Sequence, residues 1–468
     1  MRWIHLPSVA LVSFATCGSD CKPPEPSPTD APTTDAMIDA PAIDAPAADT
    51  PVLDAPEDGP VRPPGFQEIT ITFDGGAPGF AFISASPPTD AFSCRSSCKF
   101  FVAPGTEVTV HGYTPSTFGG WAGACNTNDH ECRLGTVNSD QKIVASFLRD
   151  EREVATLLPK RRVTGVALTA DGNVAVADVT GVSKLALTGD VVWTAPIAGA
   201  LDLATDAAGN IYGRTAATLF AVSSAGAVKW IHPVDTVDTV EDSPQSFESA
   251  VAASPDGSVI AVLTDDGAVV VDGDGAPRFT VLGQFAEGLA VGPDGTVAIT
   301  VPSAVFIEQD DVLRYTADGM PLATLGPLPG NADPSIAFDP QGFVCANTTG
   351  HSEITLSRMA PDGTVVFEQT AFVRSGAGIA AGVLASSASE VIGVHAVNNS
   401  EIVTGLQIDV LAPDGTPTWS HTKVGGEVFI GLLADAPTPT GVASSGKRFA
   451  VAGTYGGNFP WIQIYELP

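Results

Sequence analysis

Short apolar stretches separated by glycine-containing turns fill the chain from residue 150 to its end. Five segments share the pattern of an apolar strand, a turn of the Pro-Asp-Gly type and a second apolar strand: GVALTADGNVAVAD, LDLATDAAGNIYGR, AVAASPDGSVIAVL, LAVGPDGTVAITV and SIAFDPQGFVCAN. Asp-Gly and Asn-Gly turns favour β-hairpins, because glycine accepts the positive φ that tight turns need. The pattern therefore predicts a series of hairpins.

A second hairpin alternates with the first. Its copies include LALTGDVVW, AVSSAGAVKW, VVDGDGAPRF, RMAPDGTVVF and VLAPDGTPTW, and a glycine is followed four residues later by an aromatic residue: Trp193, Trp230, Phe279, Phe367 and Trp419. One copy has Ala323 there instead. Two hairpins make four strands, and a period of about 46 residues is the size of a β-propeller blade. We expect a seven-bladed propeller over residues 150–468, with these aromatic residues packed between blades.

The last repeat ends after its third strand. The earlier segment EVATLLP, residues 153–159, resembles the outer fourth strand of a blade such as PLATLG. We expect it to complete the last blade and close the ring, which would remove the open sheet edges.

Residues 66–149 alternate apolar and polar positions with the period of strands, as in EITITF, FAFISA, KFFVA, EVTVHGY and KIVASFL. From KFFVAPGTEVTV through GGWAGAC to KIVASF, this segment resembles bacterial repeat domains related to internalin-type B-repeats. The Gly-Trp-x-Gly-Ala-Cys run at 120–125 is the most specific part of that likeness. We expect a separate small β domain.

Four cysteines lie in this small domain, and they raise the choice between a zinc site and disulfides. Zinc would use Cys94, Cys98, Cys125 and either Cys132 or His130, but the spacings C-x3-C and C-x6-C are wider than the C-x2-C of common zinc modules. A secreted context predicts disulfides, for which four cysteines allow three pairings. We expect no metal and the local pairing, Cys94–Cys98 and Cys125–Cys132, with His130 facing solvent in a loop.

The propeller repeats resemble two known types. The G-x-x-x-W ending is similar to the repeat of pyrroloquinoline-quinone-type propellers, and the Pro-Asp-Gly hairpins are similar to NHL-type ones. Quinoprotein dehydrogenases also carry two adjacent cysteines and calcium-ligating Glu, Asn and Asp. This chain has no adjacent cysteines, and none of its residues can be matched to those ligands.

The first 65 residues differ in composition from the rest. Residues 1–16 combine Arg2 with a short apolar core, as in a signal peptide. The run FATC resembles a lipobox that would make Cys17 the lipidated residue. The alternative is ordinary signal cleavage, with Cys17 left as a thiol or paired with Cys21. Residues 22–65 hold nine acidic and two basic residues among frequent Pro and Ala, so we expect 17–65 to be an anchor and a disordered spacer.

The net charge and the length of the apolar runs exclude two classes of function. The net charge of −31 over 468 residues argues against nucleic-acid binding, which needs clustered Lys and Arg. No apolar run reaches the length of a spanning helix, so any membrane contact would be through the lipid anchor, at the outer membrane or cell surface.

Candidate chemistry in the propeller region is sparse. The run DGDG at 272–275 resembles the start of a calcium loop, but the twelfth position is not the Glu that such a loop needs. We therefore expect a tight turn. No metal-binding spacing relates the four histidines His232, His351, His395 and His421, and we expect Cys345 to be a buried thiol. We expect the acidic insertion 235–245 to be a solvated loop; the alternative is that it shapes one rim of the propeller. With no catalytic residue and no cofactor assigned, we expect a monomeric surface lipoprotein whose propeller binds a protein or polysaccharide without catalysis.

The alternative is a metal-dependent propeller enzyme of the lactonase or quinoprotein type. Carboxylate and amide side chains converging in the central channel would favour the enzyme, whereas Ala, Val and Gly there would favour binding.

Overall fold

The computed structural model of the protein describes most of the chain beyond its first sixty-one residues. The described ranges are 62–86, 92–114, 116–234, 251–264, 267–282, 286–303, 310–328, 332–349, 353–372, 379–385, 389–399, 402–424, 437–455 and 459–467. The predicted signal peptide, Cys17, nearly all of the spacer, the insertion at 235–245 and His351 lie outside these ranges. All the regular elements in these ranges are β-strands, which confirms the all-β class. The same ranges contain no helix long and apolar enough to cross a bilayer.

The small N-terminal domain consists of two four-stranded sheets. Its strands are β1 (Gln67–Asp74), β2 (Phe80–Ser86), β3 (Phe92–Cys94), β4 (Cys98–Val102), β5 (Thr106–Tyr113), β6 (Thr117–Gly123), β7 (Glu131–Val137) and β8 (Gln141–Leu148). The sheets have the orders β4-β1-β8-β6 and β3-β2-β5-β7. Alternate residues of the strands, such as Ile69, Ile71 and Ile143, are buried in one core, as the period-2 pattern predicts.

The rest of the described chain forms seven successive sheets. The first three contain β10 (Gly165–Leu168), β11 (Val174–Asp178), β12 (Gly181–Leu185) and β13 (Val191–Ala195); β14 (Leu201–Thr205), β15 (Ile211–Arg214), β16 (Thr218–Val222) and β17 (Val228–Pro233); and β18 (Val251–Ala253), β19 (Val259–Thr264), β20 (Gly267–Asp272) and β21 (Pro277–Leu282). The fourth contains β22 (Gly288–Val291), β23 (Val297–Pro302) and β24 (Asp310–Tyr315).

The last three sheets are four-stranded. They contain β25 (Ala332–Phe338), β26 (Val344–Thr349), β27 (Glu353–Met359) and β28 (Val365–Phe372); β29 (Ile379–Ala385), β30 (Val391–Asn399), β31 (Ile402–Leu411) and β32 (Pro417–Val424); and β33 (Pro437–Ser445), β34 (Arg448–Tyr455), β35 (Phe459–Glu466) and β9 (Glu153–Leu157). Each sheet is a blade of a β-propeller, and the first strand of each blade contacts the first strand of the next. Because segments between the blades lie outside the described ranges, the total of seven blades remains a prediction, as do the domain boundaries.

The seventh sheet takes its outer strand from the start of the propeller region. β9 pairs antiparallel with β35, in a register that sets Leu157 opposite Ile462 and Ala155 opposite Ile464. The first strand of this sheet, β33, also contacts β10 of the first blade. The predicted completion of the last blade by residues 153–159 is therefore confirmed.

Aromatic residues join neighbouring blades, as the repeat pattern predicts. The indole N–H of Trp193 donates to the carbonyl of Ser224 (3.1 Å), and that of Trp230 donates to the carbonyl of Gly273 (3.0 Å). Each ring lies against a turn glycine of the next blade, in the pairs Trp193–Gly226, Trp230–Gly275, Phe279–Gly319 and Phe367–Gly415. A Cβ at Gly226 would lie 2.8 Å from the Trp193 ring, and its φ of +88° also favours glycine.

The fourth blade departs from this pattern, as Ala323 indicates. In place of a regular outer strand, Leu325 exchanges two backbone hydrogen bonds with Val312 of β24 (2.7 and 3.0 Å). Pro321 and Pro327 flank that contact and cannot donate to a ladder, so the outer segment remains irregular. The Leu325 side chain replaces the missing aromatic ring and lies 3.6 Å from the Cβ position of Gly363.

Candidate functional site

The four cysteines of the small domain form two disulfides. Cys94 is joined to Cys98 and Cys125 to Cys132, which is the local pairing. His130 is not the solvent-facing residue expected: it is partly buried, its ring stacks on Phe118 with centroids 4.8 Å apart, and its Nδ1 lies 2.8 Å from the carbonyl oxygen of Gly112. The sequence could not reveal this contact, because Phe118 and His130 come together only through the fold.

The other singled-out residues have structural surroundings. Cys345 is fully buried, and burial raises the pKa of its thiol well above the ordinary range, so it is an inert core residue. The carboxylate of Asp272 accepts hydrogen bonds from the backbone N–H groups of Asp274 (3.0 Å) and Ala276 (2.9 Å), which makes DGDG a tight turn. Among the histidines, His395 is buried with Nε2 3.5 Å from Asp409.

Asp409, the partner of His395, is a partly buried carboxylate that its neighbours keep charged. Burial by itself would raise its pKa, but interactions with His395, Ser420 and Gln407 outweigh burial and hold the pKa below its usual value. Ser420 and Gln407 donate to the two carboxylate oxygens at 2.7 Å each. This cluster crosses three adjacent strands of one blade, so its role is to fix them to one another.

The first strands of the blades form the centre of the ring, where propellers commonly bind ligands. These strands read GVAL, LDLAT, VAA, GLAV, ADPSIAF, IAAGVLA and PTPTGVASS, so small apolar residues dominate them. Their two carboxylate residues are Asp202 and Asp333. The sequences of these strands therefore consist mainly of Ala, Val, Leu and Gly.

Asp202 has an unusual backbone. It has a φ of +29°, and the pairing of β14 with β15 shifts register around it, so it forms a β-bulge. Its Oδ2 accepts a hydrogen bond from Nε of Arg214 (2.8 Å), whose side chain is almost fully buried. Burial raises the pKa of Asp202, and the nearby guanidinium opposes that rise. Arg214 thus holds the carboxylate in place, and Asp202 keeps 28% of its side chain exposed.

A buried polar cluster lies where the small domain meets the propeller. Glu153 of β9 accepts hydrogen bonds from the hydroxyl groups of Ser116 (2.9 Å) and Thr156, from the backbone N–H of Asp150 (3.0 Å) and from the side-chain amide of Gln463 (3.2 Å). Ser116 belongs to the small domain, whereas Thr156 and Gln463 belong to the seventh blade. The Glu153 carboxylate therefore ties the two parts together.

Asp150 extends the same cluster. It accepts a hydrogen bond from the hydroxyl of Thr117 (2.6 Å), and its Oδ2 lies 3.4 Å from Nε2 of His421 on β32. Beside these polar contacts, Phe80 of the small domain packs in an apolar cluster with Trp461 and Tyr465. The signal for this contact in the sequence was Gln463, a polar residue inside the apolar run WIQIY.

Comparisons with known proteins found distant likenesses among solved structures. No protein-family model matches the chain, and no curated protein matches it. Among solved structures, BamB from Moraxella catarrhalis has a TM-score of 0.41 and 14% identity over 67% of this chain and 99% of that chain. Raptor from Chaetomium thermophilum has a TM-score of 0.49 and 10% identity over 68% of this chain, which spans only 29% of that protein. Likenesses this distant carry no functional inference.

Proposed function

We propose that this protein is a surface lipoprotein whose β-propeller binds a protein or polymer ligand and catalyses no reaction. The composition of the seven first strands supports the proposal most strongly, because small apolar residues dominate the centre of the ring. Acid–base and metal catalysis both need polar groups brought together around a reacting atom. Asp202, the bulged carboxylate at the centre, is instead held by Arg214.

The proposed anchor and spacer support display of the globular domains. A lipid on Cys17 followed by an extended acidic, proline-rich segment to residue 65 would hold the propeller away from the headgroups. The buried Glu153 cluster would carry the small domain and propeller together on that tether. A binding ring gains from this arrangement because partners outside the membrane can reach it.

The absence of turnover is tested with the purified protein and an Asp202→Asn control. We expect no activity toward lactones, toward alcohols with added quinone, or toward phosphodiesters, each assayed with calcium. Asp202→Asn tests the bulged carboxylate of the first strands, where a channel metal would need ligands. Activity that survives repurification and is lost in Asp202→Asn would replace the binding function by the enzymatic one.

The anchor is tested separately by labelling cells with radioactive palmitate. We expect label on the wild-type protein and none on a Cys17→Ser variant, because the thiol of Cys17 is the proposed acceptor. Cys345→Ser is the matched control and should keep the label. Label that persists in Cys17→Ser would refute the anchor without bearing on ligand binding.

A further inference from the structure

We propose that the free edge of β28, the outer strand of the fifth blade, binds an extended, lysine- or arginine-bearing polypeptide segment by strand addition. This inference rests on the proposed binding function and names the binding edge and the chemistry of the partner. β28 spans Val365–Phe372 and pairs with β27 on one side, and among the described residues no strand pairs with its other side.

Most outer strands elsewhere in the ring carry residues that block such pairing, and β9 of the seventh blade, which has none, is only five residues long. Proline and lysine protect sheet edges against a basic segment, because proline removes a donor and a positive side chain repels the positive charges of that segment. The outer segments of the second, third, fourth and sixth blades contain such residues: Lys229 and Pro233, Pro277 and Arg278, Pro321 and Pro327, and Pro417 and Lys423. The edge of the first blade, β13, has none but is only five residues long. β28 has eight residues and no Pro, Lys or Arg. Its pairing with β27 shifts register at Val366, and residues 367–372 continue in regular register, so six residues form a straight edge.

Several side chains of β28 are exposed, whereas one anchors the strand to the next blade. Val365 and Val366 are 53% and 41% exposed, and the next exposed positions are Glu368, Gln369 and Thr370. Between them, Phe367 is buried against Gly415 of the sixth blade. That contact fixes the strand to the ring, so a bound segment would lose little free energy to ordering the edge.

Charge selects the class of partner. Asp362 lies in the turn before β28 and Asp414 in the turn that holds Gly415, and Glu368 lies on the strand itself. Hydrogen bonds from the backbone N–H groups of Thr364 and Thr416 lower the pKa values of Asp362 and Asp414, respectively. Two described cations lie near this edge, and both are buried and bound within the ring. Arg358 on β27 is paired with Asp339, and Arg314 donates to the carbonyls of Ala323 and Pro361. A segment with basic side chains complements this edge.

A second copy of the chain fits less well. Two copies would bring the same acidic strand against itself, and each carries a net charge of −31. The seventh blade shows that a sheet of this ring can take its fourth strand from a distant segment, since β9 pairs antiparallel with the third strand, β35. Strand addition supplies main-chain hydrogen bonds for affinity, while side chains supply selectivity.

The test uses the full-length protein and a short fluorescein-labelled peptide that alternates valine with lysine, at physiological ionic strength. The control peptide has the same charge but prolines in place of alternate valines. The key variant is Val366→Lys, which places an edge-protecting charge on β28. Its matched control is Val192→Lys, which makes the same change at the equivalent repeat position of the first blade and alters the net charge equally.

We expect the peptide to bind, the proline peptide not to bind, and Val366→Lys to weaken binding by about tenfold or more while Val192→Lys changes it by less than about twofold. Hydrogen exchange should slow at residues 365–370 when the peptide is bound. Four results would each overturn the inference. The first two are an equal loss of peptide affinity in both variants and equal binding of the proline peptide. The other two are binding without slowed exchange at 365–370 and no binding of either peptide. These outcomes leave the proposed function intact, whereas catalytic turnover would overturn that function alone.

Discussion

Replacing Asp339 by alanine should lower the free energy of unfolding by about 3–5 kcal/mol, because it leaves a buried arginine without its counter-ion. Asp339 is fully buried, and its Oδ2 accepts hydrogen bonds from Nε (3.0 Å) and Nη2 of Arg358. Its Oδ1 accepts from the backbone N–H groups of Gln341 and Phe343. Arg358 also donates to the carbonyl of Pro413 in the next blade (3.1 Å), so the loss should loosen a joint between blades.

Urea unfolding of three variants measures this effect. Asp294→Ala is the matched control, because Asp294 lies in the corresponding turn of the fourth blade, accepts from Thr296 N–H (2.9 Å) and is exposed. We expect it to cost less than about 1 kcal/mol. The double variant Asp339→Ala/Arg358→Met should recover much of the stability, since it removes the unpaired charge. Equal losses in Asp339→Ala and Asp294→Ala would contradict the structural role of the ion pair.

Replacing Glu153 by alanine should cost about 2–4 kcal/mol, because several buried donors lose their acceptor together. The donors come from both the small domain and the seventh blade, so the change should weaken the junction as well as the closing strand. Thermal unfolding and the rate of proteolysis between residues 148 and 153 measure the two effects. In Glu153→Ala the melting temperature should fall and the rate of proteolysis should rise.

Glu151→Ala is the matched control, two residues away and exposed. It should unfold like the wild type. Combining Glu153→Ala with Ser116→Ala tests whether the Ser116 hydroxyl stabilises the protein through the Glu153 carboxylate. If it does, the double variant should lose less free energy of unfolding than the sum of the two single losses. A Glu153→Ala variant as stable as Glu151→Ala would show that the cluster does not hold the two parts together.

Features set by nearby residues could be predicted from the sequence. The hairpins follow from Asp-Gly turns, and an aromatic residue four positions after a turn glycine recurs in five of the blades. β9 could be recognised because its apolar pattern resembles PLATLG, the outer segment of the fourth blade, while the last repeat lacked a fourth strand. These signals act over a few residues or recur at a fixed period, which makes them visible in one chain.

Features set by distant contacts could not be predicted. β3 is too short to show an alternating pattern, and three glycines interrupt the alternation of apolar and polar residues in β6. The burial of Glu153 depends on Ser116 and Gln463, which lie far apart in the chain. The bulge at Asp202 depends on Arg214, and the exposure of β28 depends on the absence of a neighbouring strand in the described ring. Such contacts appear only once the sheets are assembled.

The closing strand β9 is tested most directly by native-state hydrogen exchange of the intact protein. Its backbone N–H groups pair with β35 across the last sheet. If β9 closes the ring, the paired amides between Glu153 and Leu157 should exchange as slowly as those of the core strand β34, through global unfolding only. Exchange of these amides at the rate of a disordered tail, with β34 still protected, would contradict closure of the propeller by this strand.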